Sequence, residues 1–159
     1  MYVDSQTTFS DSQAVTSTAI STNVMDLVSL GLGGGTNVAL NTVSDIGNGQ
    51  PIYLVVQTAV TATDTGSDAT LTVTLESDTA AGLSSSPTVH YSSGALAFAS
   101  FATAGTQFIA IALPMGDYKR YLGLRFTVAS GPLTAGAFDA FLTTDVQRVK
   151  AYKSAFTVQ

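Results

Sequence analysis

The stretch ATLTVTLESD, residues 69–78, alternates apolar and polar side chains along most of its length. Leu71, Val73 and Leu75 share one parity, and Thr70, Thr72, Thr74 and Glu76 share the other. In an extended chain successive side chains point to opposite faces, so this period of two predicts a half-buried β-strand. Threonine suits its outer positions, because a β-branched side chain packs well on a pleated surface.

The same pattern recurs outward from that stretch. In RYLGLRFTV (120–128), Leu122, Leu124, Phe126 and Val128 form a core face, while Tyr121, Gly123, Arg125 and Thr127 face the other way. TQFIAIAL (106–113) is apolar on both parities, which predicts cover on both faces, and PIYLVVQTAV (51–60) and GAFDAFLTTDVQ (136–147) complete the strong strands. Weaker strand signals lie in QAVTSTAIST (13–22), VMDLVSL (24–30), TVHY (88–91) and ALAFASF (95–101). Turn formers separate these runs: TDTGSD (63–68), AAGLSSSP (80–87), TAG (103–105), PMGD (114–117) and SGPLTAG (130–136). Short strands at regular spacing, with no run of helical period, predict an all-β fold: an antiparallel β-sandwich of jelly-roll type with about eight strands. The expected organisation is a polar amino-terminal arm over 1–12, one jelly-roll domain over 13–147 with a long connection near 31–50, and a carboxy-terminal tail over 148–159.

Composition narrows the chemistry. Charged residues make up 11% of the 159-residue chain, against about 25% in an average domain. Serine and threonine take their place, 17 and 23 of them. A hydroxyl is far easier to bury against a partner than an ammonium or carboxylate, so such a surface is easily dehydrated. There is no cysteine, which removes disulfides and thiolate metal sites. The first residues, MYVDSQTTFSDSQ, lack the basic and apolar regions of a signal peptide, and the longest apolar runs are too short to span a bilayer. The net charge of −5 disfavours binding to a phosphate backbone. The expectation is a soluble chain with neither a nucleic-acid nor a membrane partner.

Candidate catalytic groups are few. His90 is the single histidine, set between Val89 and Tyr91 in a short apolar run. It reads as a strand-edge residue with a local hydrogen bond, and no GxSxG motif provides a nucleophile for it. GLGGG (31–35) is not followed by Lys-Ser or Lys-Thr, so it reads as a flexible connection and not as a phosphate loop. Asp64 and Asp68 in TDTGSD match no complete calcium loop and are what a hairpin turn uses. Asp139 and Asp145 share a strand parity, but about 20 Å of extended chain would separate them, too far for a glycosidase pair. No catalytic, cofactor-binding or metal-binding residue is expected, and no cofactor.

The basic residues are distributed unevenly. Residues 1–118 contain nine acidic side chains and no lysine or arginine, whereas residues 119–159 contain six basic side chains and two acidic ones. Lys119, Arg120, Tyr121 and Arg125 sit at or near the start of one predicted strand, and Arg148, Lys150 and Lys153 lie near the carboxy terminus. These seven are the candidate interface residues. Two readings stand side by side: solvated strand ends and tail, or an electropositive region that meets the acidic remainder of a second copy or of a larger assembly. Complementary potentials of the second kind steer docking and fix register.

Several stretches taken together resemble the small jelly-roll capsid cement proteins of tailed bacteriophages, of the Bordetella-podophage type. They are YVDSQTTFSDSQAVT (2–16), DIGNGQPIYLVVQ (45–57), TLTVTLESD (70–78) and RYLGLRFTVASGPLTAGAF (120–138) running into LTTDVQ (142–147). SLGLGGGTNVALNT (29–42) and KAYKSAFTVQ (150–159) depart from the pattern. The resemblance implies a virion structural protein without enzymatic activity. It implies homotrimers on the outside of the head, made in the host bacterial cytoplasm, that clamp neighbouring capsomers of major capsid protein against internal DNA pressure. The arm over 1–12 is then expected to reach the shell or a neighbour, and its deletion to abolish head binding. A different class also fits a jelly roll: a carbohydrate- or receptor-binding module displayed on a virion, although the chain has no tryptophan to stack on a sugar. A jelly-roll enzyme is the third reading, and it would want a multi-histidine metal site that one histidine does not make.

Overall fold

The structure, a computed structural model, describes residues 4–27 and 49–146. Ten strands are present among them: β1 (Thr8–Ala14), β2 (Ala19–Ile20), β3 (Met25–Asp26), β4 (Tyr53–Thr63), β5 (Thr70–Asp78), β6 (Thr88–Ser92), β7 (Leu96–Ala97), β8 (Gln107–Ala112), β9 (Tyr121–Ala129) and β10 (Ala135–Thr143). A 3-10 turn, Ser5–Thr7, precedes β1, and a one-turn helix, α1 (Phe98–Phe101), follows β7.

Every strand pairing is antiparallel. One sheet has the order β1-β10-β4-β8; the other has β2-β9-β5-β6, with β3 also on β9 and β7 also on β5. β3 pairs with the start of β9 and β2 with its middle, Met25 opposite Leu122 and Ile20 opposite Arg125. Between them, Ser21 donates its N–H to the Leu124 carbonyl at 2.8 Å and accepts the Leu124 N–H on Oγ at 3.0 Å. β2 and β3 therefore act as one interrupted strand. Counting them once and setting the two-residue β7 aside leaves eight strands that cross repeatedly from sheet to sheet. That connectivity is the jelly roll, and it agrees with the fold expected from the alternation.

The core lies between the sheets. Leu71, Val73 and Leu75 of β5 and Leu122, Leu124 and Phe126 of β9 are fully buried against Leu54 and Val56 of β4 and Phe138 and Ala140 of β10. Phe126 and Phe138 stack across the sandwich with centroids 5.9 Å apart. β8, read as covered on both faces, buries Ile109 and half-buries Phe108, Ala110 and Ile111.

Three local readings change. The first strand begins at Thr8, so residues 8–12 belong to the sheet and not to a polar arm. Phe9 is 1% exposed, but the pairing with β10 slips between Thr8 and Ser10 and again between Ser10 and Gln13, and Ser12 takes φ 47°. These irregularities break the period of two that would have marked the strand. ALAFASF gives two strand residues and then a helical turn. Phe98 and Phe101 both pack inward, which a spacing of three achieves on a helix and a strand does not. In VMDLVSL the strand is limited to Met25–Asp26, and residues from 28 lie outside the described part. So do all of 31–50 except its last two residues, and the tail over 148–159.

Candidate interaction surface

The outer face of the second sheet is built from the polar parity of the two stretches that decided the fold. Register places Thr72 beside Thr127, Thr74 beside Arg125, Glu76 beside Gly123 and Asp78 beside Tyr121. Over the far end of this face folds the 79–87 loop. Asp78, fully buried, anchors it by accepting the N–H groups of Thr79 at 2.7 Å and Ser85 at 2.7 Å. Burial pushes the Asp78 carboxyl up, but the N–H donors of Ser85, Thr79, Ser86 and Ala80 outweigh it and hold the group below its ordinary value.

Leu83 is the apolar plug of this loop, 1% exposed, and it sits above Gly123. A Cβ at Gly123 would lie 3.0 Å from Leu83 Cδ1 and 3.1 Å from Val24 Cγ2. The glycine is thus required by a close approach from both sides.

The basic residues fasten these pieces to the sheet. Arg125 Nε donates to Glu76 Oε1 and Oε2 at 3.1 and 3.0 Å, and its Nη2 reaches the Leu83 carbonyl at 2.8 Å. Thr74 Oγ1 donates to Glu76 Oε1 at 2.7 Å. Lys119 Nζ donates to the Ser86 carbonyl. Arg120 makes a two-pronged pair with Asp26, Nε to Oδ1 at 3.1 Å and Nη2 to Oδ2 at 2.9 Å, and lies 4.9 Å over the Tyr121 ring. The structure therefore brings Lys119, Arg120, Tyr121 and Arg125 together and gives each charge a partner in the same chain. Arg148, Lys150 and Lys153 lie outside the described residues.

The histidine sits at the edge of the same region. On the edge strand β6, its Nε2 is 2.7 Å from Ser77 Oγ, and its ring stacks on Tyr118 with centroids 4.0 Å apart. Tyr118 is fully buried and donates to the Pro114 carbonyl. Ser77 is fully buried as well and accepts the Lys119 N–H at 3.0 Å. A hydroxyl so enclosed has no approach for an electrophile, so the Ser77–His90 contact is a structural bond, matching the local hydrogen bond expected. Burial, and then the Lys119 charge, lower the His90 pKa from its usual 6.5.

Three further acids make local or cross-strand hydrogen bonds. Asp64 accepts the N–H groups of Asp68 and Ala69, each at 2.9 Å, as the turn reading required. Asp139 holds Ser12 and Gln57, while the Asp145 N–H closes on Thr143 Oγ1 at 3.1 Å. Among the described residues no three His, Cys, Asp or Glu side chains are grouped to hold a metal ion, and no helix is long and apolar enough to cross a membrane.

Sequence reasoning missed Glu76, Asp78 and the 79–87 loop as parts of this surface. The available signal was Leu83, a lone large apolar residue in the polar run AAGLSSSP.

Residues 9–142 match the family model Bbp16. The match runs from Phe9 in the first strand to Leu142 in the last, so it takes in both sheets. No curated protein matches the chain.

Proposed function

The chain belongs to the Bbp16 family, a family of Bordetella phage proteins, and from that premise we propose that it is a non-enzymatic capsid cement. In this reading homotrimers bind the outside of the phage head, between capsomers of major capsid protein, and hold the shell against internal DNA pressure.

The observation that carries the reading is how the family-matched sandwich uses its few charges. Lys119, Arg120 and Arg125 are spent inside the chain, on Ser86, Asp26, Glu76 and Leu83. Much of what the 79–89 segment exposes is hydroxyl or small apolar: Ser84, Ser85, Ser86, Thr88 and Val89 are exposed, and no residue from 79 to 89 is ionisable. Such a surface loses water at low cost when it meets a lattice, and the centres of stable interfaces are depleted in charge for this reason. A trimer touching several capsomers at once multiplies weak contacts through effective concentration. An antiparallel sandwich opposes shear because its ladders and core must fail together.

Head occupancy tests this. Purified protein mixed with heads that lack it should co-sediment with them in a fixed ratio. Free protein left in the supernatant, combined with binding on a glycan array, would replace cement with a receptor-binding role.

A further inference from the structure

On the first sheet a groove of about 450 Å³ is lined by Ser10, Asp11, Asn23, Gln57, Asp139 and Phe141, among others. Asp139 and Gln57 have the parity opposite to the core residues Phe138 and Val56, so the groove opens on the outside of the sandwich. Its charge is purely negative. Asp139 is held by two neutral donors, the Ser12 N–H at 2.7 Å and Gln57 Nε2 at 3.0 Å. They fix the carboxylate and leave its charge uncompensated. Asp11 is exposed, and neither acid forms a salt bridge among the described residues. Ser10, fully buried in the groove wall, has a hydroxyl without a hydrogen-bond partner among the described residues. Buried polar groups are nearly always satisfied, and this hydroxyl is the exception among the described residues.

The chain contains its own complement to this groove. Three of its six basic residues are already engaged, by Ser86, Asp26 and Glu76. The other three, Arg148, Lys150 and Lys153, follow one another closely, and no acidic residue follows Asp145. Thr144 and Val146, after β10, line a separate depression with Tyr53 of β4 and Ala110 of β8, whereas the groove spans β10 from β1 to Gln57 of β4.

We propose that the groove receives the basic carboxy-terminal stretch of a second copy, whose Arg148, Lys150 or Lys153 places N–H donors between Asp11 and Asp139. The inference rests on the self-association in the proposed function and gives it a contact. Groove and stretch are different surfaces of one chain, so the contact is head to tail, the kind that builds a threefold ring when successive copies are related by a rotation of one third of a turn. Because the groove is open to water, the attraction is screened by salt.

The absence of cysteine makes a direct test available. Two full-length variants, Asp11→Cys and Lys150→Cys, are mixed and oxidised gently. The expected result is a mixed disulfide between them, well in excess of either like-with-like product. The triple charge reversal Arg148→Glu, Lys150→Glu, Lys153→Glu should lower the associated fraction at least tenfold in light scattering, with partial recovery on adding Asp11→Lys. A chain carrying both cysteines that closes only on itself overturns the inference and leaves self-association standing. So does an unlinked mixture of assembled protein. A wild-type mass of 16.3 kDa at all concentrations would remove the trimer itself.

Discussion

Arg125 of β9 reaches across the second sheet to Glu76 of β5, Nη2 to Oε2 3.0 Å, and only 5% of the glutamate side chain is exposed. The arginine is the more open partner, with 29% of its side chain exposed. Removing it strands a buried carboxylate, which is the costly way to break an ion pair. Arg125→Ala should therefore destabilise the fold by about 2–3 kcal/mol, below the full buried-pair range because water still reaches the guanidinium. Replacing both members by methionine should cost less than Arg125→Ala alone. Urea unfolding of the three proteins checks the order.

The Leu83–Gly123 contact should be sensitive in both directions. Leu83→Ala empties a buried site and should cost about 2–4 kcal/mol. Gly123→Ala inserts a Cβ 3.0 Å from Leu83 Cδ1 and 3.1 Å from Val24 Cγ2, and should cost about 1–3 kcal/mol by overpacking. In hydrogen exchange, both should loosen the amides of Ser85 and Ser86 before those of β5.

How much of this was legible in the sequence depended on whether a residue kept to a simple period. ATLTVTLESD and RYLGLRFTV show their core faces directly, and together they form the central pair of one sheet. β1 did not show itself, because two slips in register and the left-handed Ser12 hide Phe9 in a polar run. Parity placed Arg125 on the outer face correctly. It could not show that Glu76 lies beside it there, because that proximity comes from the cross-strand register of β5 and β9, 49 residues apart. The clustering of basic residues was visible as a count, but the partners that engage three of them were not.

Acid should weaken the protein in two stages. His90 has a pKa below 6.5, through burial first and the Lys119 charge second. The unfolded chain therefore takes up this proton before the folded one, and stability falls as pH drops below about 6.5. An NMR titration of His90 should give a midpoint under that value, moving upward in Lys119→Gln. Asp78 and Asp64 have pKa values held below the usual 3.8. Their contribution is intact above that value and is lost as pH falls through their own lower midpoints. The 79–87 loop, tied to Asp78, should open in that lower window.

The placement of Phe9 changes what a truncation can show. Removing residues 2–12 deletes most of β1, so lost head binding would reflect a damaged sheet. Removing residues 2–7 should leave the melting temperature within a few degrees of wild type. Phe9→Ala should cost about 3–5 kcal/mol, as a large buried side chain does. Thermal melts of the two variants separate an arm from a strand.

The central claim is mechanical, and it is measured most directly by heating heads. Heads lacking this protein, filled with DNA and then saturated with purified wild-type chain, should rupture at a higher temperature than untreated heads. The Arg125→Ala chain, at equal occupancy, should raise it less. Saturated heads that release DNA at the same temperature as bare ones would contradict the account.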